Sequence, residues 1–155
     1  MNCLLLGIKR FLTMVPLLVT LVFILATTLS AAQEVIVFKL ESLGAVYNHP
    51  PKKTVFSISK PTHITKIWTY HWNNGQGSMP GSIGLRNVKT GQLLGKWSAV
   101  GTRHLFNVSP GSVWPSKGDG PPWLYWAVQP LIDLQPGTYE VLDSDPMTWS
   151  TNAEM

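Results

Sequence analysis

The chain has 155 residues, of which 45% are apolar, and it contains seven tryptophans but a single cysteine. This aromatic content excludes an intrinsically disordered chain, and one cysteine excludes both an intrachain disulfide framework and a cysteine-based zinc site. Half of the net charge of +4 comes from Lys9 and Arg10, and the remaining charge is too small and scattered to indicate nucleic-acid binding.

Residues 1–32 are typical of a targeting segment. Two basic residues precede residues 11–32, which carry no charge, and Ser30-Ala31-Ala32 provides the small residues that a signal peptidase requires. The apolar run is also long enough for an uncleaved membrane anchor, although Pro16 and the polar residues near its end favour cleavage. Both alternatives predict an exported domain, 33–155, that is secreted, periplasmic or anchored outside the cytoplasm, with membrane contact only through residues 11–32 if they are retained.

The rest of the chain shows no helical periodicity. Short alternating or β-branched runs are separated by clusters of Gly, Pro, Asn and Asp, which is the pattern of an all-β domain. We predict eight strands, at Glu34–Glu41, Thr54–Ser59, His63–Trp72, Ser82–Arg86, Gln92–Ser98, His104–Val108, Leu124–Gln129 and Thr138–Asp143. So many short strands predict a single antiparallel two-sheet β-sandwich, jelly-roll or immunoglobulin-like, over residues 33–155.

Turn residues and alternation refine this prediction. Thr90-Gly91 predicts a tight hairpin between two strands, and Gln135-Pro136-Gly137 introduces the last predicted strand. The run Trp123–Val128 is apolar on both of its faces. A strand of this kind is buried on both sides, so we expect it to be central in its sheet.

Aromatic side chains dominate the run Ile67–Trp72. Strand alternation would place Trp68, Tyr70 and Trp72 on one face, where three rings in a row could stack on sugar rings. The alternative is that Trp68 and Tyr70 fill the core between the sheets and only Trp72 reaches the rim. The burial preference of large aromatic residues favours this alternative.

Two other groups could carry chemistry. Asp143 and Asp145 supply oxygen ligands of the kind that calcium prefers, although the segment lacks the further ligands of a complete site. A turn in which these carboxylates accept backbone N–H bonds is the favoured interpretation. None of the four histidines has metal-ligand spacing. We would test only His71, for which a structural role is again favoured.

Four segments, Thr69–Gly75, Gly81–Leu85, Gly95–Ala99 and Leu134–Ser150, carry motifs such as Tyr-His-Trp-Asn and Asp-Ser-Asp-Pro-x-Thr-Trp-Ser. Over about residues 54–152 the chain resembles a loose group of secreted bacterial β-sandwich domains of uncharacterised function. The resemblance implies the fold and the extracellular location, with Tyr139 packed at a sheet corner, but no catalytic residues. It also implies that a terminal strand is missing, which would leave a sheet edge for a partner.

Three functional hypotheses follow from these residues. A non-catalytic extracytoplasmic module would contact a glycan, a cell-envelope polymer or an envelope protein. The candidate ligand-binding residues are His71, Trp72, Asn73, Asn74, Trp114 and Trp149. A small secreted hydrolase would instead use His71 with Asp143 or Asp145 as an acid–base pair. A third and weaker hypothesis is an adhesion or stalk domain stabilised by calcium at Asp143 and Asp145, and we expect no other cofactor.

Overall fold

The computed structural model describes residues 34–37, 46–104 and 118–152, and this part of the chain is all-β. Its strands are β1 (Val46–Asn48), β2 (Val55–Ile58), β3 (Thr62–Ile64), β4 (Ile67–Tyr70), β5 (Ser82–Asn87), β6 (Leu93–Ser98), β7 (Val100–Thr102), β8 (Tyr125–Val128), β9 (Ile132–Leu134), β10 (Gly137–Asp143) and β11 (Ser150–Asn152). The predicted leader, residues 1–32, and Trp114 lie outside the described residues.

All strand pairs are antiparallel. The largest sheet has four strands in the order β2-β10-β5-β6, and a second has three in the order β4-β8-β7. Two smaller ladders join β3 to β9 and β1 to β11. The apolar run Trp123–Val128 therefore supplies the central strand of the three-stranded sheet, as its two apolar faces predict.

Apolar side chains from the sheets meet in one core. The four-stranded sheet contributes Ile58, Ile83, Leu85, Tyr139 and Val141, whereas β3, β8 and β9 contribute Ile64, Trp126, Val128 and Leu134. Each fully buried aliphatic or aromatic side chain stabilises the fold by roughly 1.5–3 kcal/mol relative to exposure. This shared core holds the four-stranded sheet against β3, β8 and β9.

Two local predictions are confirmed. The Thr90-Gly91 turn joins β5 to β6, with Gly91 in the left-handed region at φ 72°. At the start of β10, the hydroxyl of Tyr139 donates a hydrogen bond of 2.6 Å to the carbonyl oxygen of Gln135, four residues upstream. This is the geometry of the tyrosine corner found in extracellular sandwiches.

Several predicted strands were wrong in their extent. The run His63–Trp72 is interrupted, and forms β3 and β4 before ending at Tyr70. His104, the first residue of the strand predicted at His104–Val108, is not in a strand, and residues 105–108 of that prediction lie outside the described part. Of Glu34–Glu41 only residues 34–37 are described, and they are not in a strand. The three-residue strands β1, β7, β9 and β11 were not predicted, because they are too short to show a period of two.

Candidate functional site

The Tyr-His-Trp-Asn motif lies where β4 ends, and its two central residues have opposite environments. The His71 side chain is completely buried, whereas that of Trp72 is 40% exposed. Thr69 and His71 share the inward side of the chain, because alternate residues of an extended segment face the same way. The motif therefore contributes both to a buried polar network and to an exposed turn.

His71 lies against the core with its ring stacked on Trp126, at a centroid distance of 3.9 Å and an interplanar angle of 20°. Its backbone N–H donates to the carbonyl oxygen of Leu124 at 2.7 Å, which extends the β4–β8 ladder by one residue. Buried polar side chains require hydrogen-bond partners, and both ring nitrogens of His71 have them.

The Nε2 atom of His71 is a donor. The hydroxyl of Thr69 donates to Asp143 Oδ2 at 2.8 Å, and this uses the only proton of that hydroxyl. His71 Nε2 lies 3.0 Å from Thr69 Oγ1 and 3.2 Å from Asp143 Oδ2, two atoms that can then only accept. Nε2 therefore carries a hydrogen and shares it between them.

The Nδ1 atom of His71 is a donor for the same reason. The hydroxyl of Thr148 donates to Asp145 Oδ2 at 2.6 Å, so its oxygen can only accept from Nδ1, which lies 2.9 Å away. An imidazole with two N–H groups is an imidazolium cation. His71 is thus a buried cation that contacts one carboxylate directly and a second one through Thr148, with the face of Trp126 adding a cation–π contact.

The two carboxylates lie at the end of β10, whose last residue is Asp143, and in the tight turn that follows it. Asp143 Oδ1 accepts the backbone N–H of Asp145 at 2.8 Å, which confirms the predicted turn in which aspartate accepts a backbone bond. Burial opposes ionisation of Asp145, but hydrogen bonds from Thr148 and Ser78 and the nearby His71 outweigh it, and the pKa of Asp145 is lowered. The ionised carboxylate of Asp145 therefore helps to hold the turn together.

This geometry bears on the predicted hydrolase and calcium sites. His71 and Asp143 lie within hydrogen-bond distance, as an acid–base pair requires, but both side chains are 0% exposed and a substrate has no access to them. The carboxylate oxygens of Asp143 and Asp145 accept hydrogen bonds from donors of the protein. They do not point at one shared position where a calcium ion could bind. Among residues 34–37, 46–104 and 118–152, no group of three or more His, Cys, Asp and Glu side chains is arranged to hold a metal ion.

The exposed half of the motif is a left-handed turn, in which Asn73, Asn74 and Gly75 have φ values of 42°, 55° and 82°. Asparagine and glycine are the residues that adopt this conformation most easily. The Trp72 carbonyl oxygen accepts the N–H of Gly75 at 2.7 Å, and the Trp72 N–H donates to Ser150 Oγ at 2.7 Å. The backbone on both sides of the exposed indole is therefore fixed.

The remaining predicted site residues do not all converge on this turn. Asn74 is exposed, and Asn73 is half-buried with its side-chain amide bonded to the carbonyl oxygen of Gly77 at 2.9 Å. Trp149 is partly buried and packs against the core, and Trp114 lies outside the described residues. Only Trp72 and Asn74 of the predicted set therefore present exposed side chains here.

Sequence reasoning missed the hydroxyl groups that complete the buried network, namely Thr69, Ser78 and Thr148. Thr69 could have been found from strand alternation, since it lies two residues before His71 on the same face. Thr148 follows Asp145 by three residues, a spacing at which a hydroxyl often bonds an aspartate in a turn. Nothing in the local sequence marks Ser78, which reaches Asp145 at 2.7 Å from a distant segment.

No protein-family model, curated protein or solved structure matches this chain. The resemblance to secreted bacterial sandwich domains therefore stays a prediction. Across the described residues there is also no helix long and apolar enough to span a bilayer.

Proposed function

We propose that residues 33–155 form an exported, non-catalytic β-sandwich module that binds a carbohydrate or another cell-envelope polymer. The core shared between the four-stranded sheet and the strands facing it supports a two-sheet sandwich of the jelly-roll or immunoglobulin type, and so does the Tyr139 corner. The apolar run in residues 11–32 supports export to the cell surface, the periplasm or the medium.

One observation carries the binding proposal: of the tryptophans in the described residues, Trp72 alone is exposed. A large apolar ring at the surface loses favourable burial unless a ligand covers it. Hydrogen bonds at its own N–H and carbonyl oxygen fix the backbone of Trp72, and its ring packs over the Cα of Gly75, where an added Cβ would lie 3.4 Å from the indole. The ring is thus ordered before a ligand arrives, which reduces the entropic cost of binding.

The surroundings of Trp72 suit a sugar. The C–H face of a pyranose ring packs on an indole, while its hydroxyl groups require neighbouring donors and acceptors. Asn74 and Gln76 are exposed on the same turn, and each side-chain amide offers both a donor and an acceptor. A neutral polysaccharide is therefore the ligand class that this turn fits best.

The hydrolase hypothesis is weaker, because its acid–base pair is enclosed. A substrate could reach His71 only if the core opened around Trp126. The calcium-stabilised adhesion domain also remains a hypothesis, which a chelator would test: a melting temperature that does not change on adding chelator would count against it.

The binding proposal is tested with the full chain and a panel of insoluble and soluble polysaccharides. We expect Trp72→Ala to weaken binding of the best ligand by at least about tenfold, as for an aromatic residue at the centre of an interface. Trp72→Phe should retain part of the affinity, because a smaller ring still stacks.

The matched control is Val88→Ala, which removes another exposed apolar side chain from the β5–β6 hairpin. Circular dichroism of each variant establishes that the fold is intact. Equal polysaccharide affinity of Trp72→Ala and the parent chain would refute the assignment of Trp72, and absence of binding across the panel would refute the carbohydrate ligand.

A further inference from the structure

A second feature lies on the outer face of the four-stranded sheet. In β5, Ile83 and Leu85 face the core, so Gly84 between them faces outward. Its register partners are Lys96 on β6 and Leu142 on β10. Neighbouring strands are about 4.8 Å apart, so β6 and β10, which flank β5, are roughly 9.5 Å apart. The outward-facing row formed by Lys96, Gly84 and Leu142 therefore has no side chain at its centre.

This gap forms a hollow of about 260 Å³. The backbone of Gly84 is its floor, and the side chains of Leu93 and Leu142 give it an apolar lining. The serines at positions 82 and 144 lie at one end, where the Ser144 hydroxyl accepts the Ser82 backbone N–H at 2.8 Å.

Lys96 gives the hollow a positive charge. No carboxylate within the described ranges forms an ion pair with Lys96, whereas Arg86, next along the same face, is bonded to Glu140 at 2.7 Å. Asp143 also borders the hollow, but its side chain is fully buried and its carboxylate contacts His71. An anionic group could therefore approach Lys96 without meeting an exposed acidic side chain.

Gly84 is closely bordered by the strands on both sides. It lies in β5 one residue before an irregularity in the β5–β6 register at Leu85 and Arg86. A Cβ there would lie 3.3 Å from the carbonyl oxygen of Gly95 and 3.4 Å from Leu142 Cβ, so a larger residue would require the neighbouring strands to shift by a few tenths of an ångström. Glycine weakens the interior of a strand, and it often marks the place where a ligand approaches the backbone. Glycine at position 84 thus permits the close approach of the neighbouring strands and also leaves the hollow above it unfilled by a side chain.

We propose that this hollow binds a small carboxylate with a flat apolar body. The flat group would lie on the Gly84 backbone between the leucine side chains, and the carboxylate would pair with Lys96. The site shares no residue with the Trp72 turn, so it is a second binding site and does not depend on the proposed polysaccharide ligand.

The test uses phenylacetate and its neutral counterpart phenylacetamide as probes, titrated into the full ¹⁵N-labelled chain. A ligand this small is expected to bind with a dissociation constant of about 1 mM. We expect saturable shifts of the Gly84 and Lys96 amide signals, with phenylacetate binding at least fivefold more tightly than phenylacetamide.

Two variants assign the site. Gly84→Val should fill the hollow and weaken phenylacetate binding by at least tenfold, while Lys96→Gln should remove the preference for the acid over the amide. Lys89→Gln, on the exposed β5–β6 turn, is the matched control for loss of a charge and should change neither value. Because Lys96→Gln alters an exposed side chain, it tests the proposal even if Gly84→Val fails to fold. Absence of saturable shifts at 20 mM probe, or an unchanged acid preference in Lys96→Gln, would overturn the proposal.

Discussion

Removing the charge of Asp143 should destabilise the fold far more than the same change at an exposed histidine–aspartate pair. In Asp143→Asn, an amide replaces the carboxylate that accepts from Thr69 and His71. Whichever way the amide turns, its NH₂ group faces a donor, either His71 Nε2–H or the backbone N–H of Asp145, and the buried cation loses its direct counterion. Breaking a buried pair by removing one partner costs about 3–5 kcal/mol, a large part of the roughly 5–15 kcal/mol that stabilises a typical domain.

The chain contains its own control for this change. His63 Nδ1 and Asp133 Oδ1 lie 2.7 Å apart, but their side chains are 49% and 83% exposed. Water screens an exposed pair, and such pairs contribute about 0.2–1 kcal/mol. Asp133→Asn therefore makes the same chemical substitution in a histidine–aspartate pair without the burial.

Urea unfolding followed by tryptophan fluorescence measures both variants. With a denaturant slope of about 2 kcal/mol per M, Asp143→Asn should lower the midpoint by roughly 1.5–2.5 M and Asp133→Asn by less than about 0.5 M. Trp126, which stacks on His71, is one of the seven tryptophans that contribute to this signal. Equal midpoints for the two variants would refute the assignment of a buried ionic network.

Three further predictions concern the described residues. The pKa of Asp145 in the folded protein lies below the ordinary aspartate value of about 3.9. The ionised carboxylate therefore stabilises the fold above about pH 3.9, and this stabilisation is lost as the pH falls through the pKa of the folded protein. Between pH 5 and pH 3, the urea midpoint should fall less in Asp145→Asn than in the parent chain. Burial and the adjacent Tyr125 raise the pKa of Tyr70 above about 10, so stability should decrease as the pH rises from 10, and melting curves of Tyr70→Phe should show a smaller decrease. Tyr139→Phe removes the corner hydrogen bond to Gln135 and should cost about 0.5–1.5 kcal/mol in urea unfolding; a midpoint equal to that of the parent chain would exclude a stabilising corner.

The sequence predicted those parts of the fold whose signals are local. Thr90-Gly91 and Gln135-Pro136-Gly137 are turn signals with a direct conformational cause, and both precede strands that the structure contains. The run Trp123–Val128 identified a central strand because it is apolar on both faces, which is also a local signal. The strands β1, β7, β9 and β11 escaped prediction because three residues are too few to show alternation.

The orientation of β4 shows why the candidate site could not be predicted in full. Alternation correctly separated Trp68 and Tyr70 from Thr69 and His71, and hydrophobicity then favoured the two aromatic residues for the core. The structure has the opposite arrangement, with Thr69 buried and Tyr70 half-buried on the other face, where its ring lies 4.9 Å from that of Tyr125. Thr69 and His71 can be buried only because Asp143, 72 residues after His71, supplies an acceptor.

The buried network and the exposed ring are adjacent in the chain, and this adjacency couples them. His71 is held by Asp143 and Thr148, and the next residue, Trp72, donates its backbone N–H to Ser150, two residues beyond Thr148. The segment at the end of β4 and the segment that begins at the end of β10 are thus joined by the buried charges of His71 and Asp143. The same two segments also hold the exposed indole of Trp72 at the surface. We therefore expect the buried cation to fix the direction of the Trp72 turn, so that loss of the Asp143 charge also loosens the surface on which we propose that a ligand binds.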